Sequence, residues 1–368
     1  MADFTSALYL GLRHASAGLP PWAALTRGQP AALAEPAGAE AAAAALARLQ
    51  GLAAATLLPS TLHLFWDLLR QLARETRSAL LLDAGAYPIL HWSAEGAAAA
   101  GAVVRRFPHH DSAALEQLAR GALREGLRPV VVCDGFCPGC NRPAPLAAYA
   151  RIAGEGGGTL VLDDTQALGI LGRAPTADCP FGHGGGGSPG WQGVAGAHIA
   201  VGASLAKGFG APLAALSGSQ ALVERFLGGS ETRLHCSPPS SAALAAARQA
   251  LALGARFGEL WRARLLRLVL RLRETMAQAG LEAVGRLPFP VQSFVSRQGP
   301  ELAPLLWRRL HAGGVRALLT RGCQGLAPRL TFIVTARHRQ PQIDRIAQLL
   351  ARAGHAAAPF ASLTHAIH

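Results

Sequence analysis

The sequence predicts an α/β fold: a mostly parallel central sheet with helices on both faces, followed by a small C-terminal α/β domain. Three observations lead there. Short apolar runs recur at Ala79–Leu82, Pro129–Cys133, Thr159–Leu162, His198–Gly202 and Pro212–Leu216. They are continuous rather than alternating, as strands buried on both faces are. Helical patterns, such as Ser112–Arg124 and Pro145–Ala153, fall between them, which is the rhythm of crossover units. Several runs end in aspartate, at Asp83, Asp134 and Asp163-Asp164. Ligands of open α/β sheets bind beyond the carboxyl ends of the strands.

In chain order, residues 1–50 are rich in Ala and Pro, with Pro20, Pro21, Pro30 and Pro36 as breakers before a helical run at Ala39–Leu49. They read as an N-terminal arm. Pro59-Ser60-Thr61 then opens the helical stretch TLHLFWDLLRQLARE. A hydroxyl residue before an apolar helix is an N-cap signal. The unpaired N–H groups of that helix start also suit a phosphate. The alternating block follows, to about residue 245. From Ser240 to Gly280 the pattern is helical, with a break expected near Gly254–Gly258. The remainder reads as strand Val291–Val295, helix Leu302–Ala312, strands Val315–Leu319 and Leu330–Val334, and helix Gln342–Ala353. The predicted organisation is therefore an arm (1–50), a large domain (51–245), a small domain (246–353) and a loose tail (354–368).

Half of the residues are hydrophobic and 15% are charged, enough apolar content for a sizeable core. No run has the length and apolarity of a membrane span. The N-terminus carries Asp3 and no basic segment of the kind that opens a secretory signal. Six cysteines in 368 residues do not make a disulfide scaffold. A cytoplasmic, reduced protein is expected. The net charge of +13 is dispersed. Its densest cluster, Arg262, Arg264, Arg267, Arg271 and Arg273, looks like the solvent face of a Leu-rich helix. The excess suits attraction to an anionic substrate or cofactor. With few aromatics and no helix-turn-helix or finger pattern, nucleic-acid binding is not expected.

Lys207 is the only lysine among 35 Lys plus Arg. Arginine replaces lysine everywhere that a positive charge suffices. Arginine cannot lose its proton, whereas a buried lysine can become a neutral amine. The chemistry that requires a neutral primary amine is condensation with a carbonyl, as in a Schiff base. Lys207 sits in a Gly- and Ser-rich turn, ASLAKGFGAP, just past a predicted strand. Asp134, Asp163 and the Ser204–Lys207 segment thus all fall at or just beyond strand ends, pointing to one shared site.

The residues around these positions carry a resemblance. Cys133-Asp134-Gly135, Ala144-Pro145-Leu146, Asp163-Asp164-Thr165-Gln166 with Gly169 and Gly172, and Lys207-Gly208-Phe209-Gly210 stand in the order of motifs found in α-oxoamine synthases. FPHHDSAALEQL (107–118) and PRLTFIVTARH (328–338) add two more. The chain resembles this family of fold-type I pyridoxal-phosphate (PLP) enzymes from about residue 50 to about 353. The resemblance implies a PLP-dependent transferase, and specifically an acyltransferase that condenses an amino acid with an acyl thioester of coenzyme A or a carrier protein, with loss of carbon dioxide. It also implies a homodimer with shared active sites.

It further implies roles. Lys207 attaches the cofactor and then moves protons. Asp163 pairs with the pyridine nitrogen, which makes the ring an electron sink. Ser204 holds the phosphate, together with the helix start at Ser60 and Thr61. Tyr87 lies where the family has a histidine that stacks on the ring. Gln166 stands where the family has the histidine near the phenolic oxygen, and glutamine cannot titrate. Arg329 binds the amino-acid carboxylate. Pro138 replaces a usual serine, and HCSPPSS (235–241) matches loosely a segment whose hydroxyl reaches the partner subunit's phosphate.

These departures keep transamination, or another step at the α- or β-carbon, as an alternative reaction. A basic binding module without PLP is a reading from a different class. A zinc site is weighed for Cys137, Cys140, Cys179 and His183 on their spacing. Cys133, Cys137 and Cys140 also have the C-x3-C-x2-C spacing of an iron–sulfur motif. Neither metal is part of the main reading. The glycine run 182–187 lacks the Lys-Ser/Thr of a phosphate loop and is expected to be a flexible connection. His109 and His110 are expected to be structural or solvent-facing.

Overall fold

The structure, a computed structural model, describes the chain apart from residues 16, 18–24, 27, 324, 326 and 357–368, with residues 352–356 described in backbone only. Most of the expected tail lies outside the described residues. The chain forms two compact units. One contains residues 10–137 and 143–260, the other residues 1–9, 138–142 and 261 onward.

The larger unit is built on a seven-stranded sheet: β1 Ala54–Leu58, β2 Ser78–Asp83, β3 Val103–Phe107, β4 Arg128–Asp134, β5 Thr159–Asp163, β6 Ile199–Ser204 and β7 Ala214–Gly218. Its order is β1-β7-β6-β5-β4-β2-β3. The pairs β2–β3, β2–β4, β4–β5 and β5–β6 are parallel, whereas β7 runs antiparallel to both β6 and β1. The mostly parallel sheet is as expected, and the antiparallel element is confined to one edge. The central strands are apolar throughout because each side chain meets a helix layer, whichever face it points to.

Helix α1, Ala39–Gln50, precedes β1; on one face of the sheet, Leu80, Leu82, Val130, Val132, Val161 and Ala200 pack with residues of α2 Thr61–Glu75 and α3 Pro88–Ala99. On the other, Ala79, Leu81, Val131, Leu160, Leu162 and Val201 pack with α4 Ser112–Arg124 and α5 Leu146–Glu155. The cap at Ser60 matches the sequence signal. Ser60 accepts from the His63 N–H at the start of α2, and Asp111 accepts from the Ala113 and Ala114 N–H groups at the start of α4.

Strands β1 and β3 and helix α3 were not expected from sequence. Strand β3, VVRRF, carries charges because it is a sheet edge. Helix α3 has Gly96 in its interior, a residue that weakens helix propensity. Here it is a packing requirement, since a Cβ would come within 2.7 Å of the Trp66 ring. The break expected at Gly254–Gly258 is absent. One helix runs unbroken from Ser241 to Gln278, its alanines and leucines overriding two interior glycines. The glycine run is likewise fixed rather than flexible. His183 and Arg173 exchange backbone bonds, and Gly185 accepts from the Gly169 N–H.

The smaller unit has a four-stranded antiparallel sheet of β8 Leu281–Ala283, β9 Val291–Ser296, β10 Leu318–Arg321 and β11 Pro328–Ile333, in the order β8-β9-β11-β10. Helices Leu302–Ala312 and Gln340–Ala356 accompany it. Residues Ala2–Asp3 pair in parallel with Val315–Arg316. Phe4 is fully buried between Phe332 and His338. Among the described residues no helix is long and apolar enough to cross a membrane.

Gly202 on β6 is the closest fit in the sheet, because a Cβ there would stand 2.5 Å from the Phe65 ring. A buried ring cannot yield by that amount without repacking. Gly202→Ala is therefore expected to cost about 1–3 kcal/mol, read as a lowered denaturant midpoint at unchanged slope.

Candidate active site

Strands β4, β5 and β6 end together, and their last residues set the site. Asp134 and Asp163 are side by side in the β4–β5 register, and Asp163 opposes Gly202 across β5–β6. The chain leaves β6 at Ser204 and turns through Lys207 before returning as β7. This turn is tied down by its own backbone: the Phe209 and Ala211 N–H groups donate to Leu205 O, and the Leu205 N–H donates to Leu213 O. Gly208 is required because a Cβ would lie 2.5 Å from Leu168 O. Lys207 is thus presented beside the two carboxyls by rigid elements.

These groups line a cavity of about 160 Å³ together with Thr61, Tyr87, Ile89, Thr165, Gln166 and Ser204. Six of the eight residues expected from sequence (Lys207, Asp163, Tyr87, Gln166, Ser204 and Thr61) are brought together here. Ser60 is adjacent but its hydroxyl serves the helix, at 2.8 Å from His63 Nδ1. Arg329 belongs to the smaller unit. There it donates to Gly139 O at 2.8 Å, with its guanidinium over Gly322. Asp134, Thr165, Ile89 and Ala206 complete the lining and had no assigned role. Asp134 carried a signal, its strand-end position. Ile89 and Ala206 carried none, because apolar lining residues look like core in one dimension.

Each ionisable group is held in a defined way. The Thr165 N–H donates to Asp163 Oδ1 at 2.9 Å, and the Thr165 hydroxyl accepts from the Ser204 N–H at 2.9 Å. Burial raises the Asp163 pKa, while the Thr165 bonds and the charge of Lys207 oppose that rise. Burial lowers the Lys207 pKa, against the attraction of Asp163 and then Asp134. Asp134 is pushed well above the usual carboxylate range, first by burial and then by the Asp163 charge. The Tyr87 ring, half exposed, lies with its centroid 5.8 Å from Lys207 Nζ. Its backbone N–H donates to Asp134 Oδ1 at 3.2 Å.

Asp164, the next residue along, points away from the cavity. It accepts from the Ser188 N–H at 3.0 Å and from the Ser188 hydroxyl. This pins the end of the glycine run against the turn after β5.

The four zinc ligands weighed from spacing are not assembled. Among the described residues of the larger unit, Cys179 and His183 join no ligand cluster with Cys137. The Cys179 thiol donates to Gly182 O, and His183 lies 3.8 Å from Glu259. His109 is buried with Nδ1 2.7 Å from Asp83, and His110 stacks on it with ring centroids 3.7 Å apart.

No family model matches the chain. Among curated proteins it is 32% identical to 8-amino-7-oxononanoate synthase of Nitrosococcus oceani over 261 residues, 70% of this chain and 65% of that protein. The chain is similar in sequence to members of the α-oxoamine synthase family. A second relative, the enzyme of the same name from Methylococcus capsulatus, is 31% identical over 70% of this chain and 64% of its own length. The matched segment thus spans a little under two thirds of the length of these relatives. Among solved structures, an SPT with its PLP internal aldimine superposes with a TM-score of 0.80 at 17% identity, covering 97% of this chain and 88% of that one. The 8-amino-7-oxononanoate synthase of Francisella tularensis gives 0.70 at 18%, covering 97% and 98%. These two likenesses establish the fold-type I architecture.

Burial raises the Asp164 pKa from 3.8 to about 7. A carboxyl that holds its proton more tightly when folded loses stability as pH rises from its unfolded value through its folded one. The wild type should therefore become less stable between about pH 4 and 7 by an amount on the order of a few kcal/mol, and level off above. Asp164→Asn should make that slope shallower in thermal melts taken across the range.

Proposed function

We propose that the chain is a PLP-dependent acyltransferase that joins an amino acid to an acyl thioester of coenzyme A or a carrier protein with loss of carbon dioxide. The observation that carries this reading is the meeting of the sole lysine with buried Asp163 at the carboxyl edge of the sheet, in a cavity that also presents hydroxyls and an aromatic face. The donor set suits the cofactor chemically. Bound PLP supplies an aldehyde and a ring that accepts electrons from the substrate's α-carbon.

The chain's own residues do the rest. Lys207 attaches the cofactor and afterwards carries protons to and from the α-carbon. Asp163 keeps a proton on the ring nitrogen, and Thr165 keeps Asp163 oriented. Ser204 and Thr61, at the start of α2, offer hydroxyls and backbone N–H groups to the phosphate. Tyr87 covers one ring face. Gln166 donates a hydrogen bond without titrating. Arg329 takes the substrate carboxylate. A second copy of the chain is the proposed partner in a homodimer, and the exposed Leu62, Trp66 and Trp92 of α2 and α3 give it an apolar surface to cover.

Transamination is the second reading. Tyr87 and Gln166 favour it, because they remove two imidazoles that the resemblance associates with condensation.

Purified protein with PLP should show a visible absorption band, stable to dialysis. Lys207→Ala should lack it, and Asp163→Asn should keep attachment but lose at least ~100-fold in turnover. Amino acid plus acyl thioester should release thiol and carbon dioxide together. Keto-acid formation without thiol release would support transamination, and a protein that never takes up PLP would sink both readings.

A further inference from the structure

The segment Phe136-Cys137-Pro138-Gly139-Cys140-Asn141 carries chemistry that the cofactor site leaves unused. Its two cysteines have the C-x2-C spacing of a zinc knuckle, in which two thiolates reach one ion from a tight turn. The spacer is a Pro-Gly pair, flanked by the two-residue strands Phe136–Cys137 and Arg142–Pro143. Each cysteine has a further soft ligand beside it. The ligand nitrogen of His109 and the Cys137 sulfur lie within 4.8 Å of each other, and so do the sulfurs of Cys140 and Cys323. A tetrahedral ion with bonds of ~2.3 Å to sulfur separates its ligand atoms by about 3.8 Å, inside that limit. None of these cysteines is in a disulfide.

The surrounding fold already holds these ligands in place. His109 Nδ1 stands 2.7 Å from Asp83 Oδ1, and both side chains are buried. Asp83 is fixed in turn by the Gly85 N–H at 2.8 Å and the His110 N–H at 3.2 Å. A Cβ at Gly85 would stand 2.3 Å from the imidazole, so the ring is clamped from that side. A carboxylate on one imidazole nitrogen is the arrangement that orients a zinc-binding histidine, with Nε2 given to the metal. Cys140 sits in a loop gripped by backbone carbonyls. Asn141 takes a left-handed φ of 53° and donates its side-chain N–H groups to Val284 O at 3.0 Å and Leu287 O at 2.7 Å. The Gly139 carbonyl accepts from Arg329 at 2.8 Å. Cys323 follows Gly322 just past the end of β10. Ligands on such anchored backbone lose little freedom when an ion binds.

We propose that Cys137, Cys140, Cys323 and His109 bind one structural zinc ion through three sulfurs and Nε2. Each thiol gives its proton to solvent as its bond to zinc forms, and the imidazole binds neutral. Three sulfurs and one nitrogen suit zinc. Harder ions prefer oxygen ligands, and an iron–sulfur cluster takes four thiolates. Four protein ligands leave no open position for a reacting water, so the ion holds structure rather than performing catalysis. It braces the loop whose Gly139 carbonyl takes the Arg329 guanidinium. Cys137 and Cys140 are the half of the site that spacing reveals. His109 and Cys323 take the places that spacing suggested for Cys179 and His183, because tertiary contact sets the second pair. This inference is independent of the reading of Lys207.

The untagged full chain, supplied with zinc and dialysed, should carry about one zinc per chain by elemental mass spectrometry. Exchange with cobalt(II) should give the visible bands of a tetrahedral ion and a thiolate charge-transfer band in the near ultraviolet. Cys140→Ser and Cys323→Ser should each lose at least about tenfold in zinc affinity, read by competition with a chelating dye. Cys179→Ser and Cys236→Ser should leave it unchanged. Stripping the ion with a chelator should lower the thermal midpoint of the wild type, since an ion that binds only the folded chain stabilises it. A wild type that holds no zinc after dialysis overturns the proposal, and this outcome is read without any variant. Cobalt binding that lacks the thiolate band overturns it too, as does full zinc affinity in both Cys140→Ser and Cys323→Ser.

Discussion

The larger unit is organised around one electrostatic arrangement, the half-buried amine of Lys207 sharing a cavity with buried Asp163 and half-buried Asp134 at adjacent strand ends. Such a cluster is costly to form. Each charge loses its hydration, and the two acids repel. It persists because the backbone leaves no alternative. The β4–β5 register puts Asp134 beside Asp163, and the Thr165 N–H fixes one of them. The turn after β6 is closed by its own hydrogen bonds and by a glycine that permits close approach to Leu168. The Asp164–Ser188 contact braces the turn after β5 beside it. Each of these costs makes sense in a site that needs an amine able to shed its proton.

The sheet supplies the rigidity that this requires. Its central strands are buried on both faces, and helices α2 to α5 cover them so closely that Gly96 and Gly202 are set by the rings of Trp66 and Phe65. Side chains then project from strand ends and the turns beyond them, and two of the acids there, Asp134 and Asp163, line one small cavity. Such an edge can accept different chemistry by changing lining residues while the frame stays constant.

Much of the frame could be read in one dimension because its signals are local. Apolar runs, N-caps and the Asp-terminated strands need only neighbours in sequence. Elements whose signal is not local were missed or misjudged. Strand β3 is charged because it lies at an edge, helix α3 holds a glycine because a tryptophan presses on it, and the helix Ser241–Gln278 runs through two glycines that suggested a break. Cys137 and Cys179 look like halves of one metal site by spacing, yet the fold gives the Cys179 thiol a backbone carbonyl instead.

By itself the sequence determined that a single neutralisable amine was kept and that acids stand where strands end, since both follow from residue identity and period. Only the tertiary structure decided which of those acids face that amine. Asp163 and Asp134 do, whereas Asp164 turns away to Ser188 and Asp83 to His109. The physical reason is the pleat. Successive side chains on a strand point to opposite faces, so neighbours in sequence are sent to different partners, and strand register alone brings distant residues into one field.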